Sequence, residues 1–292
     1  MLNTRGPLID EAWLGLGWCV TELRVGCLYS GIVVVMPSAP RRISVVIPCY
    51  NDAKLLQRAL NSFANQDVLA DEIIVVDNNC TDSSAQVAAS FPRVRVVREP
   101  RQGITWAAAC GYSHAQGDLI VRTDADVVVP PDHIRRVHQV WDLIERQSCA
   151  AADKTVVAVT GTACFDLAGG LGRAISALYL GAYYYTTGSA LGHYPIYGTN
   201  CVIQTQWWHS IKDNIDLADT AVHDDLHLSF AVRDDETVWY QPDLSVDMDA
   251  RAVRGISQLK HRFQRGFHTM NTNFRSNPPH RRLQRRGKIV SR

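Results

Sequence analysis

The residues best placed to do chemistry lie in two short acidic clusters. Arg122-Thr-Asp-Ala-Asp126 follows the apolar run Leu119-Ile-Val121, so Asp124 and Asp126 stand two residues apart at the end of an expected strand. Carboxylates so placed can approach one hard divalent cation, which prefers oxygen ligands and leaves positions for phosphate oxygens. That chemistry is diphosphate binding; the plain alternative is a solvated turn in which Asp126 caps the next helix. In the second cluster, His223-Asp-Asp-Leu-His-Leu-Ser229, Asp224 and Asp225 precede a hydrophobic helical pattern. A carboxylate there can serve as a general base or simply charge the first turn of a helix. His223 and His227 also show the four-residue spacing at which two imidazoles share a helical face in zinc hydrolases. Against that reading, Asp is one methylene shorter than the Glu of the zinc pattern, and no third ligand follows in an expected setting.

These clusters need elements to hold them. Ile43-Ser-Val-Val-Ile47 is a β-branched run ended by Pro48, and Asp52 to Phe63 carries apolar residues at helical spacing. Glu72 to Val76 repeats the strand signal, Thr81 or Asp82 can cap a helix reaching Ala89, and Val94 to Val97 is a third strand. Gly103 to Ala115 is helix-compatible, Leu119 to Val121 is a strand, and Pro131 starts a helix running to about Arg146. Strands alternating with helices of this length predict a parallel, helix-covered sheet. Ligands of such sheets bind beyond the carboxyl ends of the strands, which singles out the loops after Ile47, Val76 and Val121. Beyond Asp153 the pattern loosens: Lys154 to Thr160 and Thr237 to Gln241 read as strands, whereas Leu178 to Tyr197 is rich in Tyr and Gly without a clear period. This half is expected to build a substrate pocket onto the sheet.

With 292 residues, 46% hydrophobic and 20% charged, the chain is a globular α/β protein rather than a disordered one. Its net charge of +1 argues against a protein that coats nucleic acid, but it hides an asymmetry. Ala250 to Arg292 holds twelve of the 30 Lys and Arg residues and no acid, leaving the upstream chain at −11. Eight scattered cysteines without a C-x-x-C pair read as reduced thiols of a cytoplasmic protein. The apolar stretch from Cys27 to Met36 is too short to span a membrane, and residues 1–35 read as an extension outside the core fold or an upstream translation artefact. No G-x-G-x-x-G follows a strand, and no P-loop motif is present.

The segments Ile43-Ser-Val-Val-Ile-Pro-Cys-Tyr-Asn-Asp52, Ile73-Ile-Val-Val-Asp-Asn-Asn-Cys-Thr-Asp82 and Asp124-Ala-Asp126, in this order and spacing, closely resemble the family 2 glycosyltransferases of GT-A fold. The resemblance covers roughly residues 43–270. It implies an α/β GT-A domain, a Rossmann-like, mostly parallel sheet flanked by helices, with an irregular acceptor-side half and a basic C-terminal helical tail. The boundaries it suggests are an extension over 1–40, a glycosyltransferase domain over 41–250 whose nucleotide-binding half ends near 150, and a basic segment over 251–292.

In that family the first two loops hold the nucleotide of a sugar donor, which implies donor contacts for Pro48, Tyr50, Asp52 and Asp77. By physics alone an aromatic ring can stack on a base and a carboxylate can accept a ring N–H. Asp124 and Asp126 would hold Mg²⁺ or Mn²⁺, with Asp124 also at the donor. Tyr197-Gly-Thr-Asn200 is similar to the family's Gly-x-Asn segment, and Asp224-Asp225 resembles its Glu-Asp pair, whose second member is the base in inverting enzymes. Gln258 to Gly266 looks like the Gln-x-x-Arg-Trp segment with one extra residue and Phe263 for Trp. It implies a diphosphate contact for Arg262 or Arg265 and a further metal ligand in His261 or His268; the alternative is a solvated amphipathic helix. Ala108 and Ala109 stand where many members carry Arg-Asn, which leaves the donor open.

The implied activity is inverting transfer of a sugar from a nucleoside diphosphate sugar to the hydroxyl of a saccharide, lipid-linked or small-molecule acceptor. A nucleotidyltransferase of similar fold and a non-catalytic nucleotide- or carbohydrate-binding protein are the competing readings. The five basic residues among Arg281 to Lys288 either touch an anionic leaflet, making the protein peripheral at the inner membrane face, or form a solvated terminus.

Overall fold

The computed structural model describes residues 41–151, 154–167, 170–252 and 256–288, all within a compact unit that begins at Pro40. The expectations for residues 1–40 fall outside the described residues. The first half alternates as expected: β1 (Ile43–Cys49), α1 (Ala53–Ala64), β2 (Glu72–Asp77), α2 (Ser84–Ala89), β3 (Val94–Arg98), α3 (Ile104–His114) and β4 (Leu119–Thr123). A two-residue β5 (Val127–Val128) leads to α4 (His133–Ala151) and β6 (Thr155–Phe165). Then come α5 (Leu171–Leu191), β7 (Asn200–Gln204), α6 (Thr205–Ile211), α7 (Asp224–Phe230) and β8 (Glu236–Met248). The 3-10 turn Ala250–Ala252, α8 (Ile256–Ser276) and α9 (Pro279–Arg285) complete the described chain.

One eight-stranded sheet has the order β3-β2-β1-β4-β7-β6-β8-β5. Strands β1 to β4 are parallel neighbours, as the βα alternation requires. Beyond β4 the sheet is mixed, because β7 runs antiparallel to both β4 and β6. Both faces are covered, which explains the continuous apolar runs. Val45 and Ile47 face Leu56, Leu60 and Phe63 of α1 with Val137 and Trp141 of α4, while Val46 and Val76 face Ala107, Ala108 and Tyr112 of α3 with Trp207 and Trp208 of α6. Ala108 and Ala109 are therefore buried core residues. Beside them, a Cβ at Gly111 would collide with Val46 and Val76, so α3 lies close to the sheet because its inner face is small. Trp106 is half-buried, with the Arg101 guanidinium 3.7 Å above its ring.

The departures from expectation lie in the second half. Residues 178–191, which show no amphipathic period, form most of the 21-residue α5. From Ala174 to Leu191 this helix has no charged residue, and its outward face carries Leu178 and Tyr185, about three-quarters exposed, so no polar stripe marks it. The strand expected over 237–241 continues to Met248, with register irregularities against β6. The five basic residues of 281–288 do not share one surface. Arg282 and Arg286 are buried, and Arg285 pairs with Asp234 at 2.7 Å. Arg282 donates to the carbonyls of Leu191 and Val232 at 2.9 Å and of Phe230 at 3.2 Å, and its Nη2 lies 2.9 Å from His193 Nε2. Arg286 donates to the carbonyls of Arg233 and Glu236. Arg282 thus serves terminal carbonyls of α5 and α7, groups that no intrahelical N–H can reach.

Candidate active site

The loops after β1, β2 and β4 gather at the carboxyl edge of the sheet, where register alone sets Cys49 beside Asp77. Asn51 adopts a left-handed backbone at φ 53°, which Asn tolerates better than most residues. Its Oδ1 accepts from the N–H groups of Thr81 at 2.7 Å and Asp82 at 3.2 Å, locking the β1 loop to the β2 loop. Asp52 N–H donates to Ser84 Oγ at 3.0 Å, and Asp82 accepts from Ala53 N–H at 3.1 Å. Within this frame Tyr50 is just over half exposed. Pro48 is buried within β1, and Asp77, half-buried, accepts from Cys80 N–H at 2.8 Å. The structure therefore gathers Tyr50, Asp52 and Asp77 at one edge and puts Pro48 beneath them.

The Asp-Ala-Asp loop sits beside them at the end of β4. Asp124 accepts from Thr199 Oγ1 at 2.8 Å and from Arg122 Nη2 at 3.0 Å. Asp126 is nearly buried, and that burial together with the Asp124 charge pushes its pKa up to about 6. Its cationic partner is Arg251, whose Nε lies 2.9 Å from Asp126 Oδ2. Nη1 and Nη2 of the same guanidinium reach the two Asp52 oxygens at 2.5 and 2.7 Å.

The acid pair enters through the N-terminus of α7. Asp224 meets Arg122 Nη2 at 3.1 Å, so one buried guanidinium bridges it to Asp124. Burial raises the Asp224 pKa while Arg122 opposes the rise. Burial also works against the charge of Arg122, yet Asp124 and Asp224 keep it firmly protonated. Asp225 accepts from Gly198 N–H at 2.9 Å and from Leu226 N–H at 2.7 Å. Adjacent residues, Gly198 and Thr199, thus hold Asp225 and Asp124. A side chain at 198 would strike the Arg122 guanidinium and approach Asp225 Cβ within 2.9 Å, which leaves room for glycine alone.

Other expectations land elsewhere. Arg265 donates to the carbonyls of Ala221 and Val222, bracing the loop before α7. His268 Nε2 lies 2.6 Å from Asp219 Oδ2 rather than at the Asp-Ala-Asp loop. His227 Nδ1 faces the Asn273 amide at 3.0 Å. The side chains of His261 and Arg262 lie outside the described residues. Arg122 was visible in its motif without a role, and Arg251 belongs to no motif; only its place just after a β-strand end, in a segment without acids, could have drawn attention to it.

Among the described residues no three His, Cys, Asp or Glu side chains converge as a complete ligand set. Asp124 and Asp126 nevertheless fit a divalent cation: they are hard oxygen donors at a strand end, and Asp126 already holds a cation in Arg251.

The sheet order, its flanking helices and the carboxylates at the strand ends define a GT-A fold. A mannosyltransferase from Pyrobaculum calidifontis, solved with GDP-Man and Mn²⁺, superposes with a TM-score of 0.59 at 20% identity over 86% of this chain and 70% of that one. S. aureus TarS 1-349 with UDP-GlcNAc gives a TM-score of 0.57 at 14% identity, covering 85% and 71%. Residues 44–155 match the family model described as Glycosyl transferase family 2. A chondroitin synthase of Pasteurella multocida is 30% identical over 131 residues, 42% of this chain and 14% of that protein. An undecaprenyl-phosphate 4-deoxy-4-formamido-L-arabinose transferase of Sodalis glossinidius is 37% identical over 109 residues, 34% and 33%. The chain thus spans a third or less of these curated relatives.

Proposed function

We propose that the protein transfers a sugar from a nucleoside diphosphate sugar to an acceptor hydroxyl, with inversion at the anomeric carbon. The observation that carries this reading is the bridge of Arg122 between Asp124 and Asp224, which unites the strand-end carboxylates with an acid pair a hundred residues later. Tyr50, Asp52 and Asp77 hold the nucleoside, with Pro48 shaping the strand beneath. Asp124 and Asp126 hold Mn²⁺ or Mg²⁺, which when bound neutralises charge on the departing diphosphate. Asp225 takes the acceptor proton as the acceptor oxygen bonds to the anomeric carbon and the bond to the diphosphate oxygen breaks. Asp224, the other member of the catalytic acid pair, is tied to the Arg122 guanidinium and holds the α7 N-terminus against the end of β4. Arg262 is assigned to the diphosphate by family resemblance.

The titrations that test this use UDP and GDP, each with Mn²⁺, Mg²⁺ or EDTA. Tight binding of one nucleotide that EDTA and Asp126→Ala both abolish is the expected result. Release of pyrophosphate from a nucleoside triphosphate would instead assign a nucleotidyltransferase, and nucleotide binding without turnover on any acceptor would assign a binding protein. The acceptor, whether saccharide, lipid-linked or small molecule, is chosen by the half of the chain that the family model does not match. Any peripheral membrane contact of the tail rests on the exposed Arg281 and Lys288, worth about 1 kcal/mol each near an anionic leaflet. Liposome co-sedimentation of the doubly substituted Arg281→Ala, Lys288→Ala protein measures it.

A further inference from the structure

Arg251 holds the carboxylates that the proposed reaction needs at both ends of the donor. It sits on the 3-10 turn Ala250–Ala252, and its guanidinium takes Asp52 through both Nη atoms and Asp126 through Nε. The main chain beneath it is fixed. Asp249 N–H donates to the Asp126 carbonyl at 3.2 Å, Arg251 N–H donates to Asp249 Oδ1 at 2.8 Å, and Ala250 is fully buried. The side chain, by contrast, is about half exposed, so it can leave its partners by rotation about its own torsions while the turn stays in place. Asp52 and Asp126 lie on different loops, and among the described contacts this guanidinium is the group that joins them.

A divalent cation on Asp126 and a guanidinium on the same Asp126 oxygen repel each other and compete for the same lone pairs. A nucleoside that engages Asp52 meets the same obstacle, because both oxygens of that carboxylate are already taken in a fork, a strong arrangement for Arg and carboxylate. Binding of metal and of nucleoside diphosphate must each break part of one three-bond contact. Whichever comes first loosens the guanidinium for the other, and the diphosphate offers it a new anionic partner.

Resting on the donor-binding function above, we propose that Arg251 is an exchangeable internal counter-ion that makes metal and nucleotide binding interdependent. Metal alone has to displace Arg251 and binds weakly. Metal together with the nucleotide displaces it readily. Because coupling is reciprocal, the factor by which nucleotide tightens the metal equals the factor by which metal tightens the nucleotide. Arg251 raises that factor by penalising either ligand on its own.

The test measures Mn²⁺ affinity by calorimetry, with and without UDP or GDP, in the full chain and in Arg251→Met and Arg251→Lys. In Arg251→Met, Mn²⁺ without nucleotide is expected to bind at least tenfold more tightly than in the parent, and the further tightening by nucleotide should shrink. Arg251→Lys, which keeps the charge and loses the fork, should fall between. Thermal melts give an independent readout: in EDTA the Met variant should melt lower, since Asp52 and Asp126 then lack that counter-ion, and Mn²⁺ should raise its melting temperature by more than it raises the parent's. Equal Mn²⁺ affinity in parent and Met variant, with an unchanged nucleotide effect, overturns the exchange and leaves the metal-dependent reading standing. Failure of both proteins to bind Mn²⁺ with or without nucleotide overturns the metal reading and the exchange with it.

Discussion

The two halves of the sheet are held together by different means. From β1 to β4, parallel strands lie between layers of aliphatic side chains, and the loops at their carboxyl ends are tied by short side-chain-to-backbone bonds such as those of Asn51. From β6 to α9, buried guanidinium groups and tyrosines take over. Arg282 and Arg286 serve carbonyls at the ends of α5 and α7 and along β8, and Tyr184 packs against Tyr194, Tyr197 and Tyr240. An aliphatic half resists change through many small contacts, whereas a half built on a few buried polar anchors stands or falls with each of them.

The sharpest test of this contrast removes function from one side only. Asp225→Asn should lower kcat by about a thousandfold while nucleotide affinity stays within twofold, because the base proposed above acts on the acceptor rather than on the nucleotide. Arg282→Ala leaves carbonyls of α5 and α7 without a donor and should cost roughly 3 kcal/mol in chemical unfolding. Leu56→Met, which keeps the volume of a fully buried aliphatic contact, should cost less than about 1.5 kcal/mol; a loss equal to that of Arg282→Ala would show the halves to be equally brittle.

Acid provides a second comparison, since each half buries one neutral histidine. Burial lowers the His133 pKa to about 4 and that of His193 to about 3, the latter with help from Arg282. Below about pH 6.5 the unfolded chain takes up protons that the folded chain refuses, so stability is lost as pH falls, by about 1.4 kcal/mol per pH unit for each histidine. Neither His133 ring nitrogen has a hydrogen-bond partner among the described residues. His133→Phe should therefore flatten the acid limb at no cost, and His193→Phe should flatten it while losing the bond to the Tyr194 carbonyl. Melting temperatures between pH 4 and 8 separate the two. The smallest effect expected is from Tyr50→Ala, a several-fold loss of nucleotide affinity, about 1 kcal/mol, with no change in melting temperature.

The same contrast explains what the sequence could and could not reveal. Ile43 to Cys49 and Glu72 to Asp77 are legible because strands covered on both faces must be continuously apolar, and Asp124 and Asp126 stand out because acids at the end of such a run are costly without a task. Helix α5 was hidden because its outward face carries Leu178 and Tyr185 where an ordinary surface helix carries charge. The buried state of Arg282 was hidden too: a run of arginines looks solvated until three carbonyls from distant segments are known to converge on one of them. Arg251 pairs with Asp52 from 199 positions away, a separation at which no local pattern operates.

The position of the arginine anchors also bears on how the protein is made. Domains assemble from the N-terminus as the chain is synthesised at about 5 to 20 residues per second. Strands β1 to β4 are complete once residue 123 has emerged, yet the antiparallel partner of β4 arrives only with Asn200 to Gln204, and the carbonyl ends of α5 and α7 wait for Arg282. For roughly 4 to 16 s, on that rate, the nascent protein presents a β4 edge with its N–H and C=O groups unpaired, the kind of edge on which other chains add strands. A chain that stops inside α5 would carry β1 to β4 with that edge open, so the arrival of β7 decides whether a partly made copy is a harmless fragment or a seed for aggregation, and the arginine anchors then fasten the helices that flank it.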